Sequence, residues 1–337
     1  MTGLGILWFI LIAVLIIGYF ALDGFDLGVG VLYPFLGKDE KTKRILRTSV
    51  GPIWDGNEVW LLTAGGALFA AFAPAYATSF SGFYLAIMLV LFGLIIRAVS
   101  VEYRSHEPGH EKLWDVCFFI GSFLPALLFG VAIGNVIEGL PLNAHGDYTG
   151  TFLALLNPFA LVCGVLGLVH MLTQGAAWIS LKAPLVSGLR AKASRLRRLF
   201  AAVDLVVFVV AAIIFFVAVL PNSGGTLSVN VLAVIFAALF IIGDVGVIAC
   251  GMDDPKRDVL GIVSAGIGCV GLVGMTFASM FPNIIPALNP AYSITIANAA
   301  SSDTALFAMT IIACIGVPLV LIYHIIVYRA FRGRIDE

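Results

Sequence analysis

Residues 51–66 have the sequence GPIWDGNEVWLLTAGG, which places two acids and an amide at the start of an apolar run. Asp55, Asn57 and Glu58 lie between Trp54 and Trp60, and the following residues are almost all apolar. Charged groups are costly inside a bilayer and are kept there mainly where they serve a function. The stretch therefore predicts a membrane-spanning helix with a polar beginning.

The composition extends this interpretation to the whole chain. Of the 337 residues, 61% are hydrophobic and only 12% are charged, far from the values of soluble globular domains. The first apolar run has no basic residue before it and no small-residue cleavage pattern after it, which indicates a retained span and not a signal peptide. We expect a single membrane domain covering residues 1–337.

Apolar windows predict nine transmembrane helices in an all-α fold, because a spanning helix needs about 20 mainly apolar residues. The predicted spans are 4–36, 52–73, 80–101, 113–137, 152–181, 199–220, 228–249, 258–280 and 304–328.

The positive charges predict the orientation, because Lys and Arg collect on the cytoplasmic side. With a periplasmic amino terminus and a cytoplasmic carboxyl terminus, all 19 Lys and Arg fall on the inner side. The basic run 190–198 is interpreted as a topology determinant, so we expect no nucleic acid as a partner.

Four acids repeat one spacing in the first two spans. Asp23 and Asp26 lie three residues apart on one face of the first helix, and Asp55 and Glu58 repeat the pattern on the second. Acids in a first turn are also favoured by the helix dipole, which leaves a structural role open for Asp55 and Glu58. That explanation does not extend to Asp23 and Asp26, which lie deep in their helix.

Three more acids are expected on the cytoplasmic side of the membrane. Asp115, Asp204 and Asp244 fall near the inner ends of the fourth, sixth and seventh predicted spans. Because acids inside a membrane usually line proton or ion routes, the polar seam is predicted to open to the cytoplasm.

Haem ligation would require His or Met within the spans. His170 and His324 lie in predicted spans, and a lone histidine is more often a hydrogen-bonded core residue, so they are secondary candidates. The string HEPGH at 106–110 has the spacing of a zinc site, but its Pro and Gly disrupt the required helical turn. GIGCVG at 266–271 is interpreted as small-residue helix packing. We expect no metal and no cofactor on this chain.

Five stretches together resemble one known family. They are DGFDLGVG (23–30), GPIWDGNEVWLLTAGGALFAAF (51–72), FSGFYLA (80–86), RAVSVEYRS (97–105) and TQGA (173–176). They closely resemble subunit II of the cytochrome bd-type quinol oxidases, and the similarity runs from the first span to the last. The short loop between the sixth and seventh spans is similar to that of the compact, cyanide-insensitive branch.

The resemblance implies two four-helix bundles, residues 1–138 and 151–280, and a peripheral ninth helix, 302–329. It also implies a heterodimer in the bacterial inner membrane with a subunit I that carries haem b and further haem b- or d-type groups. Such a complex oxidises quinol and reduces O₂ to water. A small accessory subunit, lipid and quinone are further implied partners.

The resemblance gives this subunit two roles, stabilising the haem-bearing subunit and contributing to proton uptake from the cytoplasm. Asp55 is then the leading position of the proton path, and Asp26, Asp23 and Glu58 are further candidates. Asn57 would orient a water molecule or a neighbouring acid.

Trp54, Trp60 and Arg97 belong to the same motifs and are candidates for interface or structural contacts. Two other functions stay open from the residues alone. A proton- or cation-coupled transporter also carries intramembrane acids, although the acids here cluster on one side and no internal repeat is evident. A purely structural subunit would use the same acids for interhelical hydrogen bonds.

Overall fold

The computed structural model describes residues 2–107, 109–185, 187–251 and 254–335. Within these ranges the chain consists of helices and one two-stranded antiparallel sheet, β1 (Asn283–Ile285) and β2 (Ile294–Thr295). The helices are α1 (Gly3–Leu36), α2 (Glu40–Val50), α3 (Trp54–Ala71), α4 (Ala73–Gly82), α5 (Tyr84–Tyr103), α6 (Glu111–Glu138), α7 (Pro158–Lys182), α8 (Gly188–Ile214), α9 (Leu220–Asn222), α10 (Val231–Ala249), α11 (Arg257–Met280), α12 (Ile296–Ala299) and α13 (Asp303–Ala330).

Eight helical segments of the described residues are long and apolar enough to cross a membrane, which confirms a multi-pass helical protein. They are α1, α5, α6, α7, the continuous segment from α8 to α9, α10, α11 and α13. The helix at the second predicted span, α3, has 18 residues and carries Asp55, Asn57 and Glu58 in its first turns. These polar residues lower its mean hydropathy relative to the other eight segments.

The helix of the sixth predicted span, 199–220, begins before the apolar window, at Gly188. The hydroxyl of Ser187 caps this helix by accepting from the backbone N–H of Arg190. The basic residues of the expected loop are therefore helical, and the buried guanidinium of Arg197 donates to Asp258 at 2.9 Å. The high density of basic residues in 190–198 predicted a loop, but some of these residues form ion pairs inside the protein.

The first predicted inner loop also contains a helix, α2, that the apolar windows did not indicate. The carboxylate of Asp39 caps it by accepting from the backbone N–H of Thr42 at 2.8 Å. The hydrogen bonds from the Thr42 backbone and hydroxyl hold the pKa of Asp39 below its ordinary value. Ile45 and Leu46 are buried, so α2 packs against the ends of the long helices.

Helix α1 lies at the centre of the helix packing and contacts α3, α6, α7, α11 and α13. At its crossing with α7, a Cβ on Gly28 would lie 1.9 Å from the carbonyl oxygen of Met171. Only glycine permits this approach, which explains the glycines of the DGFDLGVG motif and buries the acids beside them.

The string at 266–271 lies in α11 and packs against α10. A Cβ on Gly271 would lie 2.3 Å from the backbone nitrogen of Phe240, and a Cβ on Gly268 would lie 2.9 Å from Cε1 of His170. The prediction of small-residue helix packing is confirmed.

The basic segments meet at one side of the molecule. Asp115, on α6, accepts from Nζ of Lys43 at 2.7 Å and from Nε of Arg104 at 2.9 Å. On the same side, Nη2 of Arg334 in the carboxyl-terminal tail donates to Asp258 at 2.9 Å. Asp115 therefore belongs to an ion network among the helix ends.

The loops without Lys or Arg meet at the opposite side. The hydroxyl of Thr78 donates to the carbonyl of Gly146 at 2.8 Å, and the N–H of Ser301 donates to the carbonyl of Ala71 at 2.8 Å. The β1–β2 hairpin lies between α11 and α12 in this region. The fold thus separates the two sets of loops that the charge pattern distinguished.

Candidate functional site

A buried arginine bridges two carboxylates from different helices at the contact of α1, α3 and α5. Nη1 of Arg97 lies 2.8 Å from Oδ1 of Asp23, and Nη2 of Arg97 donates to Oε1 of Glu58. Asp23 and Arg97 are buried, whereas 26% of the Glu58 side chain is exposed. The planar guanidinium suits this role because its donors point in two fixed directions.

Asp26 forms a second polar group one helical turn further along α1. Nδ2 of Asn57 donates to Oδ2 of Asp26 at 2.7 Å, and the hydroxyl of Tyr328 donates to Oδ1 of Asn57 at 2.9 Å. Asp26 and Asn57 are buried. Oδ1 of Asp26 has no hydrogen-bond partner among the described residues, so the carboxylate keeps a free acceptor.

The WDGN sequence at 54–57 allows this network to form. A Cβ on Gly56 would lie 2.9 Å from a ring carbon of Tyr323, so glycine lets α13 approach α3 closely. That approach brings Tyr328 to Asn57. Tyr328 could not be predicted from the sequence, because it is far from Asn57 along the chain and belongs to none of the motifs.

Trp60 and His324 form another contact between α3 and α13. Nε1 of Trp60 donates to Nε2 of His324 at 3.2 Å, and Nδ1 of His324 lies 2.9 Å from the carbonyl of Val320. Both ring nitrogens of His324 are therefore engaged within the protein. This arrangement does not fit axial ligation of haem.

His170, the other histidine considered for haem, lies on α7 between two carboxylates. Its Nδ1 is 2.8 Å from Oδ2 of Asp204 and 3.9 Å from Oδ1 of Asp244. His170 therefore belongs to a polar core cluster, and α11 packs closely against its ring, because a Cβ on Gly268 would lie 2.9 Å from Cε1 of His170.

Asp55 does not join the buried network. Its side chain is exposed in this chain, and Trp54 is half-buried. Asp55 and Asn57 are two residues apart, and residues at this spacing do not share a helix face. The side of α3 that contacts α1 and α13 therefore carries Asn57, and Asp55 lies on the other side.

A cavity of about 260 Å³ lies on the side of the basic loops, next to this network. Thr48, Ser49, Lys182 and the carboxyl-terminal residues 330–331 contribute to its lining, and so does Tyr328. The Tyr328 side chain thus connects the cavity to Asn57 and through it to Asp26.

These features define a class of protein, a multi-pass helical membrane protein with a chain of buried polar groups that approaches one face. Comparison with known proteins gives the family. A family model described as cytochrome bd terminal oxidase subunit II matches residues 4–331. The chain belongs to this family.

Individual relatives are similar to this protein over nearly its whole length. The protein is 36% identical to cytochrome bd-I ubiquinol oxidase subunit 2 of Escherichia coli (strain K12), over 98% of this chain and 95% of the relative. It is 34% identical to cytochrome bd ubiquinol oxidase subunit 2 of Bacillus subtilis (strain 168), over 100% of this chain and 98% of the relative. A chain of the bd oxidase structure from Geobacillus thermodenitrificans shares the fold, with a TM-score of 0.79, 14% identity and coverage of 98% and 99%.

The protein is therefore a subunit of a bd-type terminal quinol oxidase, an oxidoreductase complex that passes electrons from quinol to O₂. Haem cofactors and quinol belong to that complex, and its second subunit has a subunit I as its partner. Family and apolar helices together identify a multi-pass protein of the bacterial inner membrane.

Proposed function

We propose that this subunit helps to supply protons for O₂ reduction through Asp26, and that it stabilises the haem-bearing subunit. The observation that carries the proposal is the hydrogen-bonded connection from Asp26 through Asn57 to Tyr328, which lines a cavity. Reducing O₂ to water consumes protons, and a buried carboxylate with a free acceptor is a group that can bind and release them.

The groups in this connection have different roles. Asn57 does not titrate, so its amide orients Asp26 and fixes the Tyr328 hydroxyl, and water in the cavity carries the proton to and from them. Arg97 holds Asp23 and Glu58 as an ion-paired unit beside Asp26. Glu58, which is partly exposed, is the second candidate for titration, and Asp23 has a positioning role.

The route opens to the cytoplasm in this proposal. The cavity lies on the side of the basic segments, and the charge pattern, in which all 19 Lys and Arg fall on one side, supports a periplasmic amino terminus and a cytoplasmic carboxyl terminus. Helix α3 supports a ninth span, because 18 helical residues extend about 27 Å. It begins beside the basic loops and ends at Ala71, which contacts the opposite loops.

The packing supports two four-helix bundles and a peripheral α13. Helices α1, α3, α5 and α6 form the first, and α7, α8, α10 and α11 form the second, with contacts between them through α1 and α7. In α13, Leu306 and His324 are the buried residues within the described part of the chain. We assign the haems to subunit I, because both ring nitrogens of His324 are engaged within this chain and His170 lies in a cluster with two carboxylates.

The exposed side of α3 is the proposed contact with subunit I. Asp55 and Trp54 lie at its polar end, and Leu62 is 79% exposed in this chain. In the complex, Asp55 would pass protons on only if subunit I covers it and continues the route. The proposal thus separates Asp26, inside this subunit, from Asp55, at its surface.

The test is made on the intact oxidase with Asp26→Asn, which keeps shape and removes the titratable group. We expect turnover per haem and proton uptake in vesicles to fall severalfold with haem content unchanged. Asp115→Asn is the matched control, because Asp115 is an acid of the helix-end ion network, and it should keep turnover per haem. Asp55→Asn in the same series shows whether the route continues at the surface.

The structural alternative gives a different pattern. If Asp26 only stabilises the helix contact, Asp26→Asn should be nearly harmless, whereas Asp26→Leu should reduce assembly by leaving Asn57 without its acceptor. Normal turnover and proton uptake in a fully haem-loaded Asp26→Asn complex would contradict the proton route.

A further inference from the structure

A second buried charged cluster lies between α7, α8 and α10, in the other half of the molecule from Asp26. Nδ1 of His170 is 2.8 Å from Oδ2 of Asp204 and 3.9 Å from Oδ1 of Asp244. His170 is 4% exposed, and both carboxylates are fully buried. One atom from each residue lies within 4.8 Å of the others, so the three side chains converge on one point.

The two carboxylates of this cluster lack a basic partner other than His170 among the described residues. Oδ1 of Asp204, both carboxylate oxygens of Asp244 and Nε2 of His170 have no hydrogen-bond partner there. Burying two such carboxylates without compensation is unfavourable, and unpaired buried acceptors are rare in folded proteins. A positively charged group at this point would compensate both carboxylates.

The surrounding helices leave room for the cluster. Gly268 of α11 faces it, and a Cβ there would lie 2.9 Å from Cε1 of His170 and 3.4 Å from Oδ1 of Asp244. An alanine at 268 would therefore crowd the His170 ring and touch Asp244 at an ordinary contact distance. The glycine in this motif thus serves the cluster as well as the contact with α10.

We propose that His170, Asp204 and Asp244 bind one divalent first-row transition-metal ion, of the class represented by Zn²⁺ and Mn²⁺. One imidazole nitrogen and two carboxylate oxygens form a donor set that such ions accept. Ligands bonded at about 2.0–2.2 Å to one ion lie roughly 3 Å apart. The 2.8 Å between His170 and Asp204 fits this distance, whereas the 3.9 Å between His170 and Asp244 would shorten when the ion binds. Two carboxylates and a neutral histidine also balance the charge of a divalent ion.

The ion would tie together α7, α8 and α10, which belong to the second predicted bundle. Its role is structural in this proposal, because the three ligands come from three helices and the site lies away from the Asp26 route. Binding to the folded state alone stabilises that state by mass action. The metal site thus does not depend on the proposed proton route.

The first experiment measures metal in the intact oxidase complex, purified without chelators. Zinc, manganese and iron are determined by mass spectrometry, and haem iron, determined by absorption, is subtracted. We expect about one non-haem metal ion per complex in the wild type and its loss in Asp244→Asn and His170→Gln. His324→Gln is the control, because it removes another buried histidine and should keep the metal.

The second experiment uses added Zn²⁺ and Mn²⁺ as probes after dialysis against a chelator. The thermal midpoint of the wild type should rise when metal is returned, and that of Asp244→Asn should not. If the variants fail to assemble, X-ray absorption of the wild-type complex at the zinc or manganese edge identifies the ligand atoms instead. We expect a shell of nitrogen and oxygen ligands.

Three outcomes overturn the proposal. In the first, the wild-type complex contains no stoichiometric non-haem metal and takes up neither Zn²⁺ nor Mn²⁺. In the second, the wild type and Asp244→Asn contain the same amount of metal, and in the third, X-ray absorption shows a sulfur ligand. In the first case, the carboxylates and His170 share protons instead of binding an ion.

Discussion

Nδ2 of Asn57 donates a 2.7 Å hydrogen bond to Oδ2 of Asp26 and thereby joins α3 to α1. The same amide accepts from Tyr328, so one uncharged side chain links three helices. Asp26 and Asn57 are buried, and Tyr328 is half-buried. Removing the amide therefore affects two partners at once.

The first prediction concerns this shared amide. Asn57→Ala should destabilise the complex by about 1–3 kcal/mol, because Asp26 and Tyr328 both lose a buried hydrogen-bond partner. Tyr328→Phe should cost less in the Asn57→Ala background than in the wild type, since the hydroxyl has then already lost its acceptor. Thermal unfolding of the four complexes measures this coupling, and strictly additive losses would contradict the shared network.

The second prediction concerns the ion-paired unit at Arg97. Arg97→Met should destabilise the complex by about 3–5 kcal/mol, because it leaves the buried Asp23 carboxylate without its cation. Arg97→Lys should recover only part of this loss, since a single ammonium cannot reproduce the two-directional guanidinium contact with Asp23 and Glu58.

The control for Arg97 is the exposed pair Arg257 and Asp254, in which the side chains are 55% and 50% exposed. Arg257→Met should change stability by no more than about 1 kcal/mol, because exposed ion pairs contribute little. The comparison is made by thermal unfolding and by the yield of haem-loaded complex. Equal losses of stability at the two positions would contradict the prediction that burial makes the Arg97 ion pairs important for stability.

The sequence predicted the elements of this site better than their arrangement. Periodic acids in apolar helices indicated Asp23 and Asp26, because charge is so unfavourable in a membrane that its presence is informative. The family resemblance ranked Asp55 above Asp26, whereas Asp55 is exposed in this chain. Only the packing of α1 and α13 shows which side of α3 is buried.

Long-range partners could not be predicted from spacing. Tyr328 reaches Asn57 from the last helix, and the His170 cluster combines residues from three helices, so local patterns contain no signal for either. The missed helix α2 and the early start of α8 have another cause. Both segments carry many charges, and hydropathy windows detect only helices that are apolar throughout.

The last prediction uses two glycines of the same helix, α11. Gly271→Ala should sharply reduce the amount of assembled complex, because the added Cβ would lie 2.3 Å from the backbone nitrogen of Phe240 in α10. Backbone atoms cannot rotate away as a side chain can, so the two helices must separate and lose packing. Gly266→Ala is the matched control, since a Cβ there meets nothing within 4 Å in this chain.

At Gly266 the substitution should leave assembly unchanged or raise stability by up to about 1 kcal/mol, because alanine is the better helix former. Both variants are compared by native gel electrophoresis of solubilised membranes and by haem absorption per unit of total protein. If Gly271→Ala assembles as well as Gly266→Ala, the close α10–α11 contact is not required for the fold. The glycines of the 266–271 string would then need another explanation.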